Sequence, residues 1–224
     1  MPSRVLKTVV FMGSAKELLP PWGGRARLGT GVLNYVVKQL QQRNTTHGED
    51  QVTHALTVYD PAVVFAPDGA LAESGAQLKN PHFFYGKGEA PAPMEEMART
   101  IREADGFVVV TAEYNHSVPP GLLSLLDHFG GSNFAYKPCG IITYSPGPWG
   151  GMRAAVALRP ILSELGCLSV SALVGFASAA DLFEDDGTAK DPEHRMLHQL
   201  PKMLNQLEFI ALAMANQKSI CSPP

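Results

Sequence analysis

The sequence feature that most constrains the fold is a short apolar run that ends abruptly in a polar, turn-rich loop. The run is Gly-Phe-Val-Val-Val at 106–110, and the loop is Thr-Ala-Glu-Tyr-Asn-His-Ser-Val-Pro-Pro-Gly at 111–121. Open α/β sheets bind their ligands where a buried strand ends in such a loop. The loop has a carboxylate, a phenol and an amide but no nucleophile–base pair, so it predicts a surface that holds a flat polar ligand.

Apolar runs of strand length alternate with segments of helical periodicity along the chain. We predict strands at 8–12, 56–59, 106–110, 139–144 and 170–174. The stripe Leu33, Val36, Val37 and Leu40 is typical of the helices between them. This alternation predicts a three-layer α/β fold with a five-stranded parallel sheet joined by right-handed crossovers. In the order 2-1-3-4-5, a ligand lies over the switch point between strands 1 and 3.

Length and composition limit the class of protein. The chain has 224 residues, 45% of them hydrophobic and 17% charged, with a formal net charge of -3. These values predict one globular domain over residues 1–224 and argue against disorder and against nucleic acid as a partner. Three scattered cysteines and the lack of a signal-peptide layout predict a cytoplasmic protein. No apolar run approaches the ~18 residues that span a bilayer, so no membrane partner is expected.

Two further regions carry predictions. Residues 60–93 are rich in Pro, Gly and Ala and predict a long loop, whose aromatic cluster at 83–85 is a candidate for substrate selection. A terminal helix is predicted to be kinked or restarted at Pro201, with a flexible tail from residue 218. His194 and His198 have i, i+4 spacing, but without a third ligand they indicate a solvated helix face. We therefore predict no metal site.

The loop after the first strand combines groups that bind anions. Gly13-Ser14-Ala15-Lys16 and the segment 25–30 supply a hydroxyl, free backbone N–H groups, the positive end of a helix and basic side chains. This combination suits a terminal phosphate. A solvated basic turn explains the loop equally well when it is taken alone. The sequence fits neither a Walker loop nor the G-x-G-x-x-G pattern.

The loop after the fourth strand, at 145–151, is rich in proline and glycine. Gly150-Gly151 before a helix permits close approach of backbone to a ligand, and Trp149 could stack on an aromatic ring. A plain turn is the simpler interpretation of this loop in isolation. All three loops, however, follow strands whose carboxyl ends share one edge of the predicted sheet.

Several of these motifs together resemble a known family. They are Gly13-Ser14-Ala15-Lys16 with Arg27-Leu28-Gly29, then 104–119 (Ala-Asp-Gly-Phe-Val-Val-Val-Thr-Ala-Glu-Tyr-Asn-His-Ser-Val-Pro), 150–154 and 158–162. The chain resembles the NADPH-dependent FMN reductases, a flavodoxin-like group that includes quinone, azo and chromate reductases. The resemblance runs from about Val9 to Leu207, and Glu-Tyr-Asn after the Ala-Asp-Gly strand is its most specific part.

The resemblance implies an FMN-dependent NAD(P)H oxidoreductase. NADPH or NADH would deliver hydride to N5 of FMN, and a quinone, azo compound, flavin or similar acceptor would then take two electrons. No protein side chain is nominated as catalytic. The implied cofactor-binding residues are Ser14, Lys16, Arg25, Arg27, Ala112, Glu113, Tyr114, Asn115, Ser145, Gly147, Gly150 and Gly151.

The sequence departs from the family pattern in the first loop. The usual arginine after Gly-Ser is Lys16, and residues 17–26 look like an insertion, so more than one basic residue could reach the phosphate. The usual proline before Glu-Tyr-Asn is Ala112.

The resemblance also implies a homodimer or homotetramer, with the segment after Glu-Tyr-Asn at the interface. Leu122, Leu123, Leu125 and Leu126 make that helix apolar on more than one face, which fits an interface or burial against the sheet. Two other classes of protein stay open. They are a non-catalytic FMN-binding, redox-responsive interaction protein and a doubly wound nucleotide-binding enzyme without flavin.

Overall fold

The computed structural model describes residues 3–15 and 27–223. Six strands form one sheet in the order β2-β3-β1-β4-β5-β6. They are β1 (Ser3–Met12), β2 (Thr45–His47), β3 (Asp50–Tyr59), β4 (Gly106–Ala112), β5 (Lys137–Tyr144) and β6 (Cys167–Phe176). The helices are α1 (Leu28–Gln42), α2 (Pro61–Val64), α3 (Ala92–Glu103), α4 (Pro120–Asp127), α5 (Gly131–Phe134), α6 (Met152–Glu164), α7 (Ala179–Leu182) and α8 (Gln199–Ile220), with a 3-10 helix at His82–Phe84.

The prediction of a five-stranded, wholly parallel sheet is wrong in the number of strands. The additional strand is β2, which pairs antiparallel with β3 at Thr45↔Val52 and His47↔Asp50. Three residues are too few to show a period, so the sequence gives no strand signal there. The five longer strands pair in parallel, in the relative order expected for them.

Helices cover both faces of the sheet, which explains why its central strands are buried along nearly their whole length. In β5 every residue is buried, and in β4 all but Ala112 are. Parallel strands buried on both faces have continuous apolar runs instead of alternating ones. One core packs α3, α4 and α6 against the sheet, and the other packs α1 and α8.

Residues 60–93, expected to form a long loop, contain α2 and the 3-10 helix and lie over α4. Ser124 Oγ donates to the Ala76 carbonyl oxygen at 2.7 Å, and the backbone N–H of His82 donates to the carbonyl of His128 at 2.8 Å. The leucines of α4 that are fully buried within this one chain are Leu122, Leu125 and Leu126. The apolar character of α4 is therefore accounted for by burial and is no longer evidence for a subunit interface.

Helix α8 begins at Gln199, so Pro201 lies in its first turn, where its missing N–H costs no helical hydrogen bond. His194 and His198 precede the helix, so their placement on a helix face is wrong. Helix α8 continues to Ile220, past the start of the predicted tail.

Among the described residues, no helix is long and apolar enough to cross a membrane.

The carboxylate of Glu208 in α8 is fully buried and lies within a polar cluster, which we call the Glu208 cluster. Arg43 donates to both carboxylate oxygens, and Thr45 Oγ1 donates to Oε2 at 2.8 Å. Nε2 of His47 lies 2.7 Å from Oε2, and Nε2 of His54 lies 2.9 Å from Oε1. Burial acts to raise the pKa of Glu208, but hydrogen bonds from His54, Arg43, His47 and Thr45 outweigh it and lower the pKa to about 2. The cluster joins α8 to β2 and β3.

Candidate functional site

The three loops predicted to converge do so at the carboxyl ends of β1, β4 and β5. They enclose a cleft of about 290 Å³. Its lining residues are Ser14, Arg27, Leu28, Gly29, Ala112, Glu113, Tyr114, Tyr144 and Pro146. The cleft lies between β1 and β4, where the sheet changes its direction of winding, as expected for a ligand site in this topology.

The first loop is fixed tightly against β4. The N–H of Gly13 donates to the carbonyl of Val110 at 2.8 Å. A Cβ on Gly13 would lie 2.1 Å from Oγ1 of Thr111, so this close approach requires glycine. Helix α1 then starts at Leu28, and its N-cap residue, Arg27, makes no side-chain hydrogen bond to the first turn. The positive end of a 15-residue helix thus borders the cleft, and among residues 3–15 and 27–223 its N-cap residue provides no side-chain cap.

Two buried hydroxyls meet at the floor of the cleft. Ser14 Oγ and the hydroxyl of Tyr144 are 2.7 Å apart, and both residues are at most 3% exposed. A Cβ on Gly29 would lie 2.0 Å from the Tyr144 oxygen, so the absence of a side chain at Gly29 admits the phenol to the first turn of α1. Burial raises the pKa of Tyr144, which therefore keeps its proton at neutral pH.

Arg27 is paired with a carboxylate that the sequence did not suggest. Its guanidinium donates to both oxygens of Asp60, with Nη1 to Oδ1 at 2.8 Å, and it also donates to the carbonyl of Ser14. The hydrogen bond to Asp60 raises the pKa of Arg27 above its usual value. Asp60 also caps α2 by accepting from the N–H of Ala62 at 2.9 Å. The expected phosphate ligand is therefore already neutralised by an internal partner.

The second loop contains a tight turn after Glu113. Tyr114 and Ser117 exchange backbone hydrogen bonds of 3.0 and 2.9 Å, and the residues between them, Asn115 and His116, have φ angles of 49° and 64°. Two left-handed residues in succession are the mark of a type I′ turn. This turn ends the wall formed by Ala112 to Tyr114 and directs the chain toward α4.

Glu113 binds the start of α6. Its Oε1 accepts from Nε of Arg153 at 2.6 Å, and its Oε2 accepts from the backbone N–H of Arg153 at 3.1 Å. The guanidinium of Arg153 lies 5.7 Å from the centre of the Trp149 ring, and 69% of Trp149 is exposed. The second and third loops are thus joined by an ion pair at the rim of the cleft.

The third loop uses its glycines for internal packing. Gly150 and Gly151 have φ angles of 59° and 72°, and a Cβ on Gly151 would lie 2.9 Å from the carbonyl oxygen of Tyr144. Thr143 Oγ1 donates to the carbonyl of Gly150 at 2.7 Å, which ties the loop to β5. Tight packing on β5 therefore accounts for the glycines without any ligand.

The predicted site residues divide into four groups. Those that line the cleft are Ser14, Arg27, Ala112, Glu113 and Tyr114. Asn115 lies in the adjoining turn, whereas Ser145, Gly147, Gly150 and Gly151 shape the third loop without lining the cleft. Lys16 and Arg25 lie outside the described residues.

Sequence reasoning missed Leu28, Gly29, Tyr144 and Pro146 in the lining, and Asp60 behind Arg27. A signal was present for two of them. Tyr144 is the last residue of a predicted strand, and Asp60 directly precedes a proline, the usual order of an N-cap and the first helical residue.

The donors of the cleft suit a ligand that ends in a phosphate. The start of α1, which the Arg27 side chain does not cap, and two hydroxyls offer hydrogen bonds to an anion. The Ala112–Tyr114 wall offers backbone groups and a phenol to a flat ring. FMN has both a phosphate and such a ring, so these residues fit it.

A parallel sheet in this order, with its cleft at the carboxyl edge, is the flavodoxin-like fold. The same fold is found in the flavoenzyme NAD(P)H:(acceptor) oxidoreductase FerB from Paracoccus denitrificans. That structure superimposes with a TM-score of 0.62 at 20% identity, over 91% of this chain and 98% of the other. The chain belongs to the NADPH-dependent FMN reductase family, whose match covers residues 6–181.

Curated relatives match shorter parts of the chain. A quinone reductase of Pseudomonas putida is 37% identical over 113 residues, which cover 46% of this chain and 60% of the relative. A quinone reductase of Escherichia coli K12 is 47% identical over 81 residues, which cover 35% and 43%. The matched regions therefore span only about half the length of these relatives.

Proposed function

We propose that the protein is an FMN-dependent NAD(P)H oxidoreductase that passes two electrons to a small acceptor such as a quinone, an azo compound or a free flavin. The observation that carries this proposal is the cleft at the switch point between β1 and β4, in a chain of the NADPH-dependent FMN reductase family. Bound FMN would supply the redox chemistry, accepting hydride and releasing two electrons.

The residues of the chain would bind and orient the cofactor. The start of α1 and the hydroxyl of Ser14 would receive the phosphate, and the Ala112–Tyr114 wall would border the ring. The carboxylate of Glu113 is held by Arg153 and is only 8% exposed, so its role is to fix the wall in place. Within the described lining of the cleft no serine, cysteine or lysine pairs with a histidine, which suits a site that holds a reactive cofactor.

The identity of the acceptor is proposed from the relatives. Both matched proteins cited above are named quinone reductases, which favours a quinone. The exposed ring of Trp149 beside the cleft is a surface on which a flat acceptor could stack. The aromatic pair Phe83 and Phe84, exposed by 53% and 72%, remains a predicted contributor to acceptor choice.

The test combines spectroscopy with turnover. The protein as purified should show the visible absorbance of flavin, or should gain it when FMN is added and excess is removed. It should then oxidise NADPH or NADH faster when a soluble benzoquinone is present. Bound flavin without turnover would favour the redox-responsive binding protein, and a colourless protein that fails to take up FMN would overturn the proposal.

A homodimer or homotetramer remains part of the proposal by family resemblance. Since α4 is covered by residues 60–93, an interface would have to use another surface or the outside of that segment. Size-exclusion chromatography with light scattering, at several protein concentrations, measures the oligomeric state directly.

A further inference from the structure

Two hydroxyls share one hydrogen bond in the cleft, and this leaves a donor to spare. Ser14 Oγ and the Tyr144 hydroxyl are 2.7 Å apart, and each carries one proton. A single proton satisfies their mutual bond. The other proton is therefore available to a third acceptor, whichever of the two residues supplies it.

The phenol of Tyr144 reaches this place from a strand that is not adjacent to β1. Tyr144 ends β5, and β4 lies between β5 and β1. Its hydroxyl nevertheless lies against the first turn of α1, in space that a side chain at Gly29 would fill. The position is thus beside the positive end of α1, which the side chain of Arg27 does not cap, and an anion is favoured there.

Arg27, the obvious cation of the cleft, is occupied. It binds both oxygens of Asp60, and the side chains of the pair are only 12% and 15% exposed. A carboxylate held in two hydrogen bonds is a strong competitor for a guanidinium. The charge of Arg27 is therefore largely used by Asp60, whereas the two hydroxyls remain available to bind a phosphate in the cleft.

We propose that Tyr144 is a phosphate-binding residue, acting with Ser14 at the start of α1, and that it makes the cleft select FMN over the phosphate-free riboflavin. This inference rests on the proposed function. It adds a binding residue on β5 to a subsite otherwise built from the first loop.

The test compares two flavins that differ only in the phosphate. Protein freed of flavin is titrated with FMN and with riboflavin, and binding is followed by the quenching of flavin fluorescence. Tyr144→Phe, which removes one oxygen atom, should weaken FMN binding about tenfold, as expected for one hydrogen bond to a charged group. Riboflavin binding should change less than about twofold, because its ring contacts are retained.

Tyr35→Phe is the matched control. Tyr35 lies on α1, is 7% exposed and packs against Phe176 and Phe183, so the same atom is removed from a buried tyrosine outside the cleft. It should alter neither affinity. Ser14→Ala should reproduce the FMN-specific loss, and the double variant Ser14→Ala/Tyr144→Phe should lose less than the sum if the hydroxyls act as a pair.

The outcomes separate the two proposals. Equal loss of FMN and riboflavin binding in Tyr144→Phe would mean that the phenol only shapes the cleft, and no loss of either would mean that it makes no contact. Both results overturn the phosphate role while leaving flavin binding intact. If the parent protein binds neither flavin, the proposed function itself fails and takes this inference with it.

Discussion

Two arginine–carboxylate pairs lie at different ends of β3, and they differ in how many other partners they have. Glu208 is fully buried and receives hydrogen bonds from Arg43, Thr45 and two histidines. Asp60, just beyond the carboxyl end of β3, receives them from one backbone N–H and from Arg27, which lines the cleft. The same chemical pair thus forms a closed structural cluster in one place, whereas in the other it holds an arginine that lines the cleft.

The difference shows what burial does to an ion pair. A buried carboxylate must have its hydrogen-bonding capacity filled internally, and removing one member then leaves an uncompensated charge. The loss is smaller where the remaining group keeps another hydrogen bond, as Asp60 does with the N–H of Ala62. We therefore expect substitutions in the Glu208 cluster to affect stability, and substitutions in the Arg27–Asp60 pair to affect ligand binding more.

The largest effect is expected for Glu208→Gln. The amide keeps the shape but leaves the guanidinium of Arg43, whose side chain is 10% exposed, without its counter-charge. The free energy of unfolding should fall by about 3–5 kcal/mol. Urea denaturation followed by circular dichroism measures this, with the exposed Glu193→Gln as the control. A loss close to that of the control would mean that the Glu208 cluster contributes little to the stability of the fold.

The second-largest effect is expected in the dependence of stability on acid pH. The pKa of Glu208 is about 2 in the folded protein, against an ordinary value of 4.5. As pH falls from about 4.5 toward 2, the unfolded chain binds this proton first, so stability falls by about 3 kcal/mol from this one group. Urea midpoints measured across that range should show the loss of stability. In Glu208→Gln the contribution of about 3 kcal/mol from this carboxylate should be missing. Equal slopes in the two proteins would contradict the assignment.

A smaller loss is expected when the cleft arginine is removed. In Arg27→Met, Asp60 keeps its hydrogen bond from the N–H of Ala62, so unfolding should become easier by only about 1–2 kcal/mol. The comparison is with Arg99→Met, at a solvent-exposed ion pair on α3, which should be indistinguishable from the parent. If Arg27→Met destabilises as strongly as Glu208→Gln, the two pairs are structurally equivalent and the contrast fails.

The smallest stability change should come from Asp60→Asn, because asparagine is an equally good cap for α2 and can still accept one bond from Arg27. We expect about 1 kcal/mol. The affinity for FMN should rise although the stability falls. FMN should bind several-fold more tightly relative to riboflavin, because Arg27 is freed and a negative charge is gone. Fluorescence titration measures both, and Asp68→Asn in the same segment serves as the control. Weaker FMN binding would show that Asp60 positions Arg27 for the phosphate.

Much of the fold could be predicted because its signals are local. The stripe Met94, Met97, Ala98 and Ile101 is buried as the helical period requires, and β4 and β5 are rich in apolar residues because both of their faces are covered. Those patterns repeat within a few residues. They depend little on where the rest of the chain goes.

The parts that were missed depend on contacts between distant positions. Ser14 and Tyr144 are 130 residues apart, and Arg27 and Asp60 are 33 apart, so no local pattern links them. The apolar faces of α4 were a genuine signal of burial, but the sequence could not say whether a second subunit or residues 60–93 would cover them. Such pairings are properties of the folded chain.

The Glu208 cluster has one further consequence, which concerns association between chains. Two of its members, Thr45 and His47, belong to β2, the short strand that pairs with residues 50–52 and so covers one end of the outer edge of β3. A free strand edge is a template for pairing with another molecule. Protonation of Glu208 would release β2 and lengthen that free edge. At about pH 2 and below, where Glu208 takes up its proton, we therefore expect light scattering that grows with protein concentration. Glu208→Gln should show the same growth at neutral pH. Protein that stays monomeric under both conditions would exclude this route to aggregation.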